Sequence, residues 1–210
     1  MKRCYIICAG DADIIRINKE QDDLIIAADG GLVHCQHNNI VPDIILGDFD
    51  SLGYIPKNNN TIVLPTEKDY TDSYEAVMLA MEKGYKEIII FGAFGGERTD
   101  HTLANIALLS FISKNGGKGY IIHKNEVTTA ITDGSISFKC KDSGTVSVFS
   151  FDENAIGVTE KGLKYTIEDF TLKNSVAMGV SNCFIGKEAY ISVKKGTLII
   201  FFDGTISDIL

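Results

Sequence analysis

The sequence predicts an α/β domain followed by a smaller all-β domain, and three observations lead to this fold class. Short β-branched apolar runs alternate with helical patterns up to about residue 122. After about residue 125, strand-like runs follow one another with turn residues between them, and only one weakly helical segment interrupts them. Alternating strands and helices are typical of a Rossmann-like, mostly parallel sheet, whereas regular turns with little helix are typical of an antiparallel β-sandwich or barrel.

The strand candidates of the first half are nearly continuous in apolar residues, so we expect both faces of their sheet to be covered. They lie at residues 5–8, 24–28, 44–46, 61–64, 87–91 and 120–122. The helix candidates between them lie at residues 32–38, 73–83 and 102–114. Gly116 and Gly117 provide the end of the last helix.

The strand candidates of the second half are separated by short turns rich in Asp, Ser and Gly. They lie at residues 127–131, 135–138, 145–150, 155–159, 189–193 and 197–202, and the weakly helical segment is residues 167–172. We therefore place a domain boundary between residues 1–124, an α/β domain, and residues 125–210, a β-sandwich.

Composition restricts the class of protein. The formal net charge of −8 argues against a protein that binds the nucleic-acid backbone, but a divalent cation can still neutralise a bound triphosphate. The five cysteines form no CxxC pair, and no apolar run approaches the roughly 20 residues of a membrane span. We expect a soluble, cytoplasmic protein with reduced thiols.

Acidic residues follow several predicted strands of the first half. Asp29 comes directly after one strand, Asp48 and Asp50 come after the next, and Asp72 and Asp100 follow later ones. Ligands of open parallel sheets bind outside the carboxyl ends of the strands, so we expect these carboxylates to share one edge. Two adjacent carboxylates repel each other unless a cation lies between them, and Mg²⁺ prefers oxygen ligands. Alternation in an extended segment would point Asp48 and Asp50 the same way and turn Phe49 toward the core.

A glycine-rich loop precedes the third predicted helix. Backbone amides of residues 92–96 could hold phosphate oxygens, and the guanidinium of Arg98 could grip a phosphate by two bonds. The sequence has no GxxxxGK[ST] motif, so a P-loop is excluded. Carboxylates for a metal, with glycines and an arginine for phosphate, indicate phosphoryl or pyrophosphoryl transfer.

Each of these features also has a purely structural interpretation. The ADGG segment could be a simple turn, Asp72 could cap a helix together with Glu75, and Asp100 could cap the helix that follows it. In the second half, Tyr165 of the GLKY segment could be an ordinary half-buried strand residue.

Taken in order, the motifs resemble those of the thiamine pyrophosphokinase family. They are ADGG at 28–31, PDIILGDFDS at 42–51, EKDYTD at 67–72, RTDHTLANI at 98–106, GLKY at 162–165 and GVSN at 179–182. The resemblance implies an α/β nucleotide-binding domain, a β-sandwich and a homodimer with thiamine bound at the subunit interface. It also implies Mg²⁺ as cofactor and ATP as co-substrate, with transfer of a diphosphate to the hydroxyl of thiamine and release of AMP.

The resemblance further implies roles for single residues. Asp48, Asp50 and Asp72 would hold Mg²⁺ and the ATP phosphates, and with Asp100 and Arg98 they would form the catalytic set. Thiamine would contact Tyr165, Ser181 and Asn182, with the ring of Tyr165 stacking on it. The nucleotide contacts would come from Asp29, Gly30, Ser51, Lys68, Thr71, Gly95, Gly96, Arg98, His101 and Asn105.

Two features depart from the family pattern. Glu97 stands between the glycines and Arg98, which predicts a loop one residue longer, and the chain has no Trp where some relatives use one in place of Tyr165. Two other functions stay open from sequence: another Mg²⁺-dependent phosphotransferase or phosphatase, and a non-catalytic sensor of thiamine or nucleotide. Which aspartate accepts the proton of the thiamine hydroxyl also stays open.

Overall fold

The computed structural model describes residues 2–12, 14–96 and 98–210. The chain divides into two compact units, one formed by Met1–Leu108 with Gly116–Lys124 and the other by Leu109–Asn115 with Asn125–Leu210. The predicted sequence of parallel strands with helices followed by antiparallel strands is confirmed at this level.

The first unit contains six strands that pair in parallel. They lie in the spatial order β4-β3-β2-β1-β5-β6. Three of them, β1, β2 and β5, are buried almost throughout, as their continuous apolar runs predict. The strands are β1 (Arg3–Ile7), β2 (Leu24–Ala28), β3 (Ile44–Gly47), β4 (Thr61–Val63), β5 (Glu87–Phe91) and β6 (Lys118–His123).

The strand order makes β1 the neighbour of both β2 and β5. The chain runs outward from β1 to β4 on one side, returns to place β5 on the other side of β1, and then adds β6. Ile6 of β1 accordingly lies between Ile26 of β2 and Ile90 of β5 in register, and all three are fully buried. This reversal of direction between β1 and β5 is the place where open parallel sheets bind their ligands.

Three helices lie between these strands in the chain: α1 (Gly31–His37), α2 (Asp72–Glu82) and α3 (Thr99–Lys114). The residues of α3 from Leu109 onward belong to the second unit. All three were predicted, but α3 begins three residues earlier than the predicted start at Thr102. Its polar first turn, Thr99 to His101, is exposed and has no apolar periodicity by which a sequence pattern could place the start. No helix in the three described ranges is long and apolar enough to cross a membrane.

The second unit contains eight strands in antiparallel pairs. One set has the order β12-β9-β14-β7 and the other has the order β11-β10-β13-β8. The strands are β7 (Glu126–Thr132), β8 (Ser135–Lys141), β9 (Thr145–Ser150), β10 (Asn154–Lys161), β11 (Ile167–Lys173), β12 (Asn182–Cys183), β13 (Lys187–Ser192) and β14 (Thr197–Asp203). A short 3₁₀ helix, Ile206–Asp208, follows them.

Aromatic side chains join the two strand sets inside this unit. The ring of Phe138 on β8 lies edge-on to that of Phe202 on β14, with 4.9 Å between their centroids. It also meets the ring of Phe184 at 5.4 Å. All three are at most 3% exposed, so they form the centre of the apolar core of this unit.

The predicted helical segment at residues 167–172 is wrong, because these residues form strand β11. β11 pairs with β10 in an irregular register, and Asp169 has a φ of 51°, which an α-helix does not permit. Pairing with β10 therefore overrides the weak local preference for helix.

Candidate active site at the strand ends

Three carboxylates cluster at the carboxyl ends of β2 and β3. Asp29, Asp48 and Asp50 each place one oxygen within 4.8 Å of the others. The backbone holds the two strand ends together, since the amide of Asp29 donates to the carbonyl of Leu46 at 2.7 Å. A Cβ at Gly47 would lie only 3.0 Å from the Cα of Asp29, so glycine is needed there for the close approach.

The turn after β3 delivers two of these carboxylates. Phe49 is 3% exposed, which confirms the prediction that its ring turns into the core. The predicted extended conformation is wrong, however, because Phe49 has a φ of 61°. The amide of Asp50 donates to Oδ1 of Asp48 at 3.3 Å, so the two acids flank a tight turn rather than alternate along a strand.

Asp29 has one oxygen in use and one oxygen without a partner. Its Oδ2 accepts a hydrogen bond from the Ser51 hydroxyl at 2.5 Å. Its Oδ1 is buried and has no hydrogen-bond partner among the described residues. A buried carboxylate oxygen without a donor is unfavourable, so this atom fits a position that faces a bound cation.

Lys68 joins this cluster to the start of α2. Its ammonium lies 2.6 Å from Oδ2 of Asp48 and 3.0 Å from Oδ1 of Asp72. The hydrogen bond from Lys68 lowers the pKa of Asp48. Burial raises the pKa of Asp72, although the same lysine acts to lower it. Burial acts to lower the pKa of Lys68, but its two carboxylate partners outweigh burial and raise it. Asp72 thus belongs to the same charged network without being one of the three closest carboxylates.

The predicted helix cap at Asp72 is wrong, because Thr71 occupies that position. The Thr71 hydroxyl accepts from the amide of Tyr74 at 3.2 Å, and Asp72 is the first residue of α2. Threonine fits the N-cap because its hydroxyl reaches the free amides of the first turn. This arrangement leaves the carboxylate of Asp72 free to meet Lys68.

A chain of buried hydrogen bonds connects α2, α3 and the loop after β5. The hydroxyls of Thr71 and Ser73 lie 3.0 Å apart, and Ser73 donates to Oδ1 of Asn105 at 2.8 Å. Asn105 is 5% exposed, and its Nδ2 donates to the carbonyl of Ala93 at 2.8 Å. Both ends of its amide are therefore used inside the protein.

The end of β1 provides an acidic residue that the sequence analysis did not single out. Asp11 donates its amide to the carbonyl of Phe94, and its Oδ1 accepts from the amide of Gly96 at 3.0 Å. A Cβ at Gly95 would overlap the Asp11 carboxylate. Asp11 comes shortly after β1, much as the other acids come after their strands, and this position was the signal available in the sequence.

The residues at the start of α3 lie at the surface. Arg98 and Asp100 are both exposed and form an ion pair at 2.6 Å. The hydrogen bond between them raises the pKa of Arg98 and lowers that of Asp100, and the charge of Asp50 also acts on Arg98. The capping role considered for Asp100 is wrong, because α3 begins at Thr99. His101 is exposed in the same turn, and Glu97 lies outside the described residues.

The second unit contains the other group of predicted site residues. Tyr165 lies between β10 and β11 with 62% of its surface exposed, so the half-buried strand interpretation is wrong. Ser181 is also exposed, and its amide donates to the hydroxyl of Ser147 at 3.0 Å. Asn182 differs from both, since it is only 5% exposed and hydrogen-bonded on both sides of its amide.

Carboxylates and glycine turns at the ends of parallel strands, with a lysine between two of the acids, are typical of α/β proteins that bind a divalent cation together with phosphate groups. Comparison with known proteins makes this more specific. The family model described as "Thiamin pyrophosphokinase, catalytic domain" matches residues 16–121. A second model, "Thiamin pyrophosphokinase, vitamin B1 binding domain", matches residues 135–198. The chain belongs to the thiamine pyrophosphokinase family.

Individual relatives agree with this assignment. A curated thiamine pyrophosphokinase of Bacillus subtilis (strain 168) is 30% identical over 209 residues, which is 95% of this chain and 97% of the relative. A crystal structure of thiamine pyrophosphokinase from Bacillus subtilis matches with a TM-score of 0.84 and 28% identity, over 97% of this chain and 100% of that one. The crystal structure of thiamin pyrophosphokinase from Geobacillus thermodenitrificans has a TM-score of 0.81 at 24% identity, over 98% and 99% of the two chains, and supports the fold alone.

Proposed function

We propose that this chain is an ATP:thiamine diphosphotransferase, which moves a diphosphate from ATP onto the hydroxyl of thiamine and releases AMP. Membership of the thiamine pyrophosphokinase family supports this activity. The structural observation that carries the proposal is the cluster of Asp29, Asp48 and Asp50 at the ends of parallel strands. In this proposal residues 1–124, a Rossmann-like unit, bind ATP and the metal, and residues 125–210, a β-sandwich, bind thiamine.

The acidic cluster suits Mg²⁺. It supplies only oxygen ligands, and the buried Oδ1 of Asp29 has no other partner in the described part of the chain. Asp48 and Asp50 would hold the ion, with Asp72 and Asp29 beside them. When bound, Mg²⁺ would neutralise charge on the phosphates and so stabilise the transition state of the transfer.

The remaining polar residues of the first unit would bind and orient ATP. Lys68 and Arg98 are the cations beside the carboxylates, and the exposed Gly95 offers its backbone amide to phosphate oxygens. The amide of Gly96 donates to Asp11, so Gly96 would join the nucleotide site by leaving room for the phosphates. Gly30, Ser51, Thr71 and His101 are the further nucleotide contacts in this proposal. Asn105 takes a positioning role instead, because both ends of its amide already hold the α2 and β5 segments.

Proton transfer from the thiamine hydroxyl completes the chemistry. A primary alcohol is a weak nucleophile, so a carboxylate must accept its proton as the new P–O bond forms. The cluster at the strand ends, extended by Asp72 and Asp100, provides several carboxylates for this step. Positioning of the two substrates would supply most of the remaining acceleration.

The direct test of this function is incubation of the purified protein with thiamine, ATP and Mg²⁺, followed by chromatography of the products. We expect thiamine diphosphate and AMP in equal amounts, and no product when EDTA is present. Production of ADP or free phosphate would instead identify another phosphotransferase or a phosphatase. Thiamine binding without any product would identify a sensor.

The role of the acidic cluster is tested by Asp50→Asn. We expect this variant to lose most of its turnover and to retain the thermal stability of the wild type, because Asp50 is exposed and its main proposed role is to bind the metal. Asp69→Asn, an exposed aspartate next to Lys68 in the chain, is the matched control and should keep wild-type turnover. A folding defect in Asp50→Asn would show that the residue is structural.

We also propose that the protein is a homodimer with its thiamine site shared between subunits, as the resemblance to the family implies. The test mixes two impaired variants, Asp50→Asn and Tyr165→Ala, after unfolding and joint refolding, and assays them at a thiamine concentration too low for Tyr165→Ala alone. If each site uses residues of both subunits, the mixed dimers contain one intact site and activity returns. Absence of recovery, together with a monomeric mass in analytical ultracentrifugation, would reject the proposal.

A further inference from the structure

A single buried side chain clamps the backbone of Tyr165. Asn182 accepts from the amide of Tyr165 at 2.9 Å through its Oδ1 and donates to the carbonyl of Tyr165 at 2.7 Å through its Nδ2. Its Oδ1 also accepts from the amide of Cys183. A side-chain amide that binds both polar groups of one residue imitates a neighbouring strand. It thus fixes Tyr165 one residue beyond the backbone hydrogen bond from Lys164 to Cys183.

Glu160 occupies the last position on this amide. Its Oε2 accepts a second hydrogen bond from Nδ2 of Asn182 at 3.0 Å, and Glu160 is only 3% exposed. Burial raises the pKa of Glu160, and the hydrogen bond from Asn182 acts in the opposite direction. A carboxylate beside Nδ2 also prevents the amide of Asn182 from rotating by 180°, because rotation would bring two acceptors together.

The residue held in this way presents its ring to solvent. Tyr165 is 62% exposed, and the ammonium of Lys164 lies 5.4 Å from the centre of its ring. An exposed ring gains nothing in stability from a fixed backbone, whereas a binding surface gains affinity when its contact groups are held before the ligand arrives. With its four hydrogen-bonding positions occupied, Asn182 has no free group for a ligand.

We propose that Glu160 and Asn182 are positioning residues for the aromatic platform of Tyr165, and that Asn182 itself does not contact the substrate. This assignment rests on the proposed function, in which Tyr165 meets thiamine. Glu160 orients the amide of Asn182, Asn182 fixes the backbone of Tyr165, and the ring is thereby held ready for a cationic aromatic ligand.

Steady-state kinetics of three variants test the proposal. Glu160→Ala and Asn182→Asp should each raise the KM for thiamine by about tenfold, with kcat and the KM for ATP near wild type, because binding and not the chemical step is affected. Glu160→Gln should stay near wild type, since its amide oxygen can still accept from Asn182. Adding Glu160→Gln to Asn182→Asp should lower the KM again, because the glutamine NH₂ can donate to the new carboxylate.

A second measurement does not depend on the enzyme activity. The chain contains no Trp, so Tyr165→Trp introduces a single fluorescent reporter at the platform. We expect high fluorescence anisotropy in this variant and in its combination with Glu160→Gln. Anisotropy should fall when Glu160→Ala or Asn182→Asp is added, because the clamped backbone becomes free to move.

Thr197→Val is the matched control for loss of a buried hydrogen bond in the same unit. Its side chain is fully buried, and its hydroxyl lies 3.0 Å from that of Thr132. Neither threonine is close in sequence to Asn182 or Tyr165. This variant should lower the melting temperature and leave both the thiamine KM and the reporter anisotropy unchanged.

The outcomes separate the two levels of inference. Wild-type protein without thiamine turnover would reject the proposed function, and the anisotropy measurement would still decide whether Glu160 and Asn182 order the platform. Equal changes in the KM values for thiamine and ATP, or unchanged anisotropy in Glu160→Ala, would overturn the positioning role. If Thr197→Val lowered the anisotropy as much as Glu160→Ala does, the fall would reflect a general loss of stability and not loss of positioning.

Discussion

Lys68 is the residue on which the charge balance of the acidic cluster depends. Its ammonium contacts Asp48 and Asp72 with 13% of its side chain exposed, and no other cation is seen this close to the two carboxylates in the described ranges. A bound Mg²⁺ would supply positive charge to the same carboxylates. We therefore expect the lysine and a bound metal to be partly interchangeable as counter-ions.

Replacement of this lysine by an apolar residue of similar length tests that balance. Lys68→Met should lower the free energy of unfolding by about 1–3 kcal/mol in EDTA, because a largely buried carboxylate pair loses its cationic partner. Added Mg²⁺ should raise the melting temperature of the variant more than that of the wild type. Differential scanning fluorimetry across a Mg²⁺ titration measures both effects, with Lys57→Met, an exposed lysine, as control. An equal response to Mg²⁺ in the two proteins would contradict the shared role.

At the residue scale, the sequence identified the acids at the ends of β2 and β3 because each follows an apolar run directly. It did not identify Asp11 or Glu160. The partner of Asp11 is Gly96, 85 residues away, and that of Glu160 is Asn182, 22 residues away. Such pairs depend on tertiary contacts that no local pattern encodes. Phe49 was assigned to the core from alternation in an extended segment, and its burial is confirmed although the extended conformation is wrong.

At the scale of the element, α2 is the helix that places a charged residue in the site. Thr71 caps it, and Asp72 follows as its first residue. Carboxylates near a helix N-terminus also interact favourably with the helix dipole. The cap consequently fixes both the start of the helix and the position of the carboxylate that meets Lys68.

Removal of the cap separates a structural role of Thr71 from a direct contact with nucleotide. Thr71→Ala should lower the free energy of unfolding by roughly 0.5–2 kcal/mol, because the amide of Tyr74 loses its partner. Thr71→Ser should recover most of this loss, since serine caps equally well. Urea denaturation measures the free energy of unfolding, and the KM for ATP reports any direct contact of Thr71 with the nucleotide. A raised KM for ATP in Thr71→Ser as well would indicate that the methyl group or the hydroxyl position matters to the nucleotide.

Element boundaries show where sequence patterns reach their limit. β2, β5 and β9 have the predicted bounds because apolar runs end sharply at turn residues. β11 was predicted as a weak helix, and the two-residue strand β12 was not predicted at all. Both depend on a partner strand, β10 for the first and β9 for the second, so their conformation is set by pairing and not by their own residues.

At the scale of the whole molecule, carboxylates with lowered pKa values are distributed over both units. Asp48 and Asp100 lie in the first unit, and Asp152, Glu168 and Asp208 lie in the second. A carboxylate with a folded-state pKa below its unfolded value stabilises the protein above the unfolded pKa, and this contribution is lost as the pH falls through the folded value. We therefore expect the stability of the protein to decline in acid.

Asp208 permits a direct test, because it joins the short 3₁₀ helix to Lys141 at the end of β8. Burial acts to raise its pKa, but the hydrogen bonds from Lys141 and the amide of Thr205 outweigh burial and lower it. Asp208→Asn should reduce the free energy of unfolding by roughly 1–2 kcal/mol at pH 7. The difference from wild type should begin to shrink as the pH falls below about 4, where the unfolded aspartate takes up its proton, and should be lost as the pH passes through the lower folded-state pKa.

Urea titrations of both proteins between pH 7 and pH 3 measure this difference, and the partner lysine supplies the control. Lys141→Met should reproduce the loss of unfolding free energy at pH 7. The double variant should be no less stable than the less stable of the two single variants, because both substitutions remove the same ion pair. A difference between wild type and Asp208→Asn that stays constant down to pH 3 would mean that packing of the side chain, and not its charge, supplies the stability. A difference that vanishes in acid would mean that the charge of this one carboxylate supplies it.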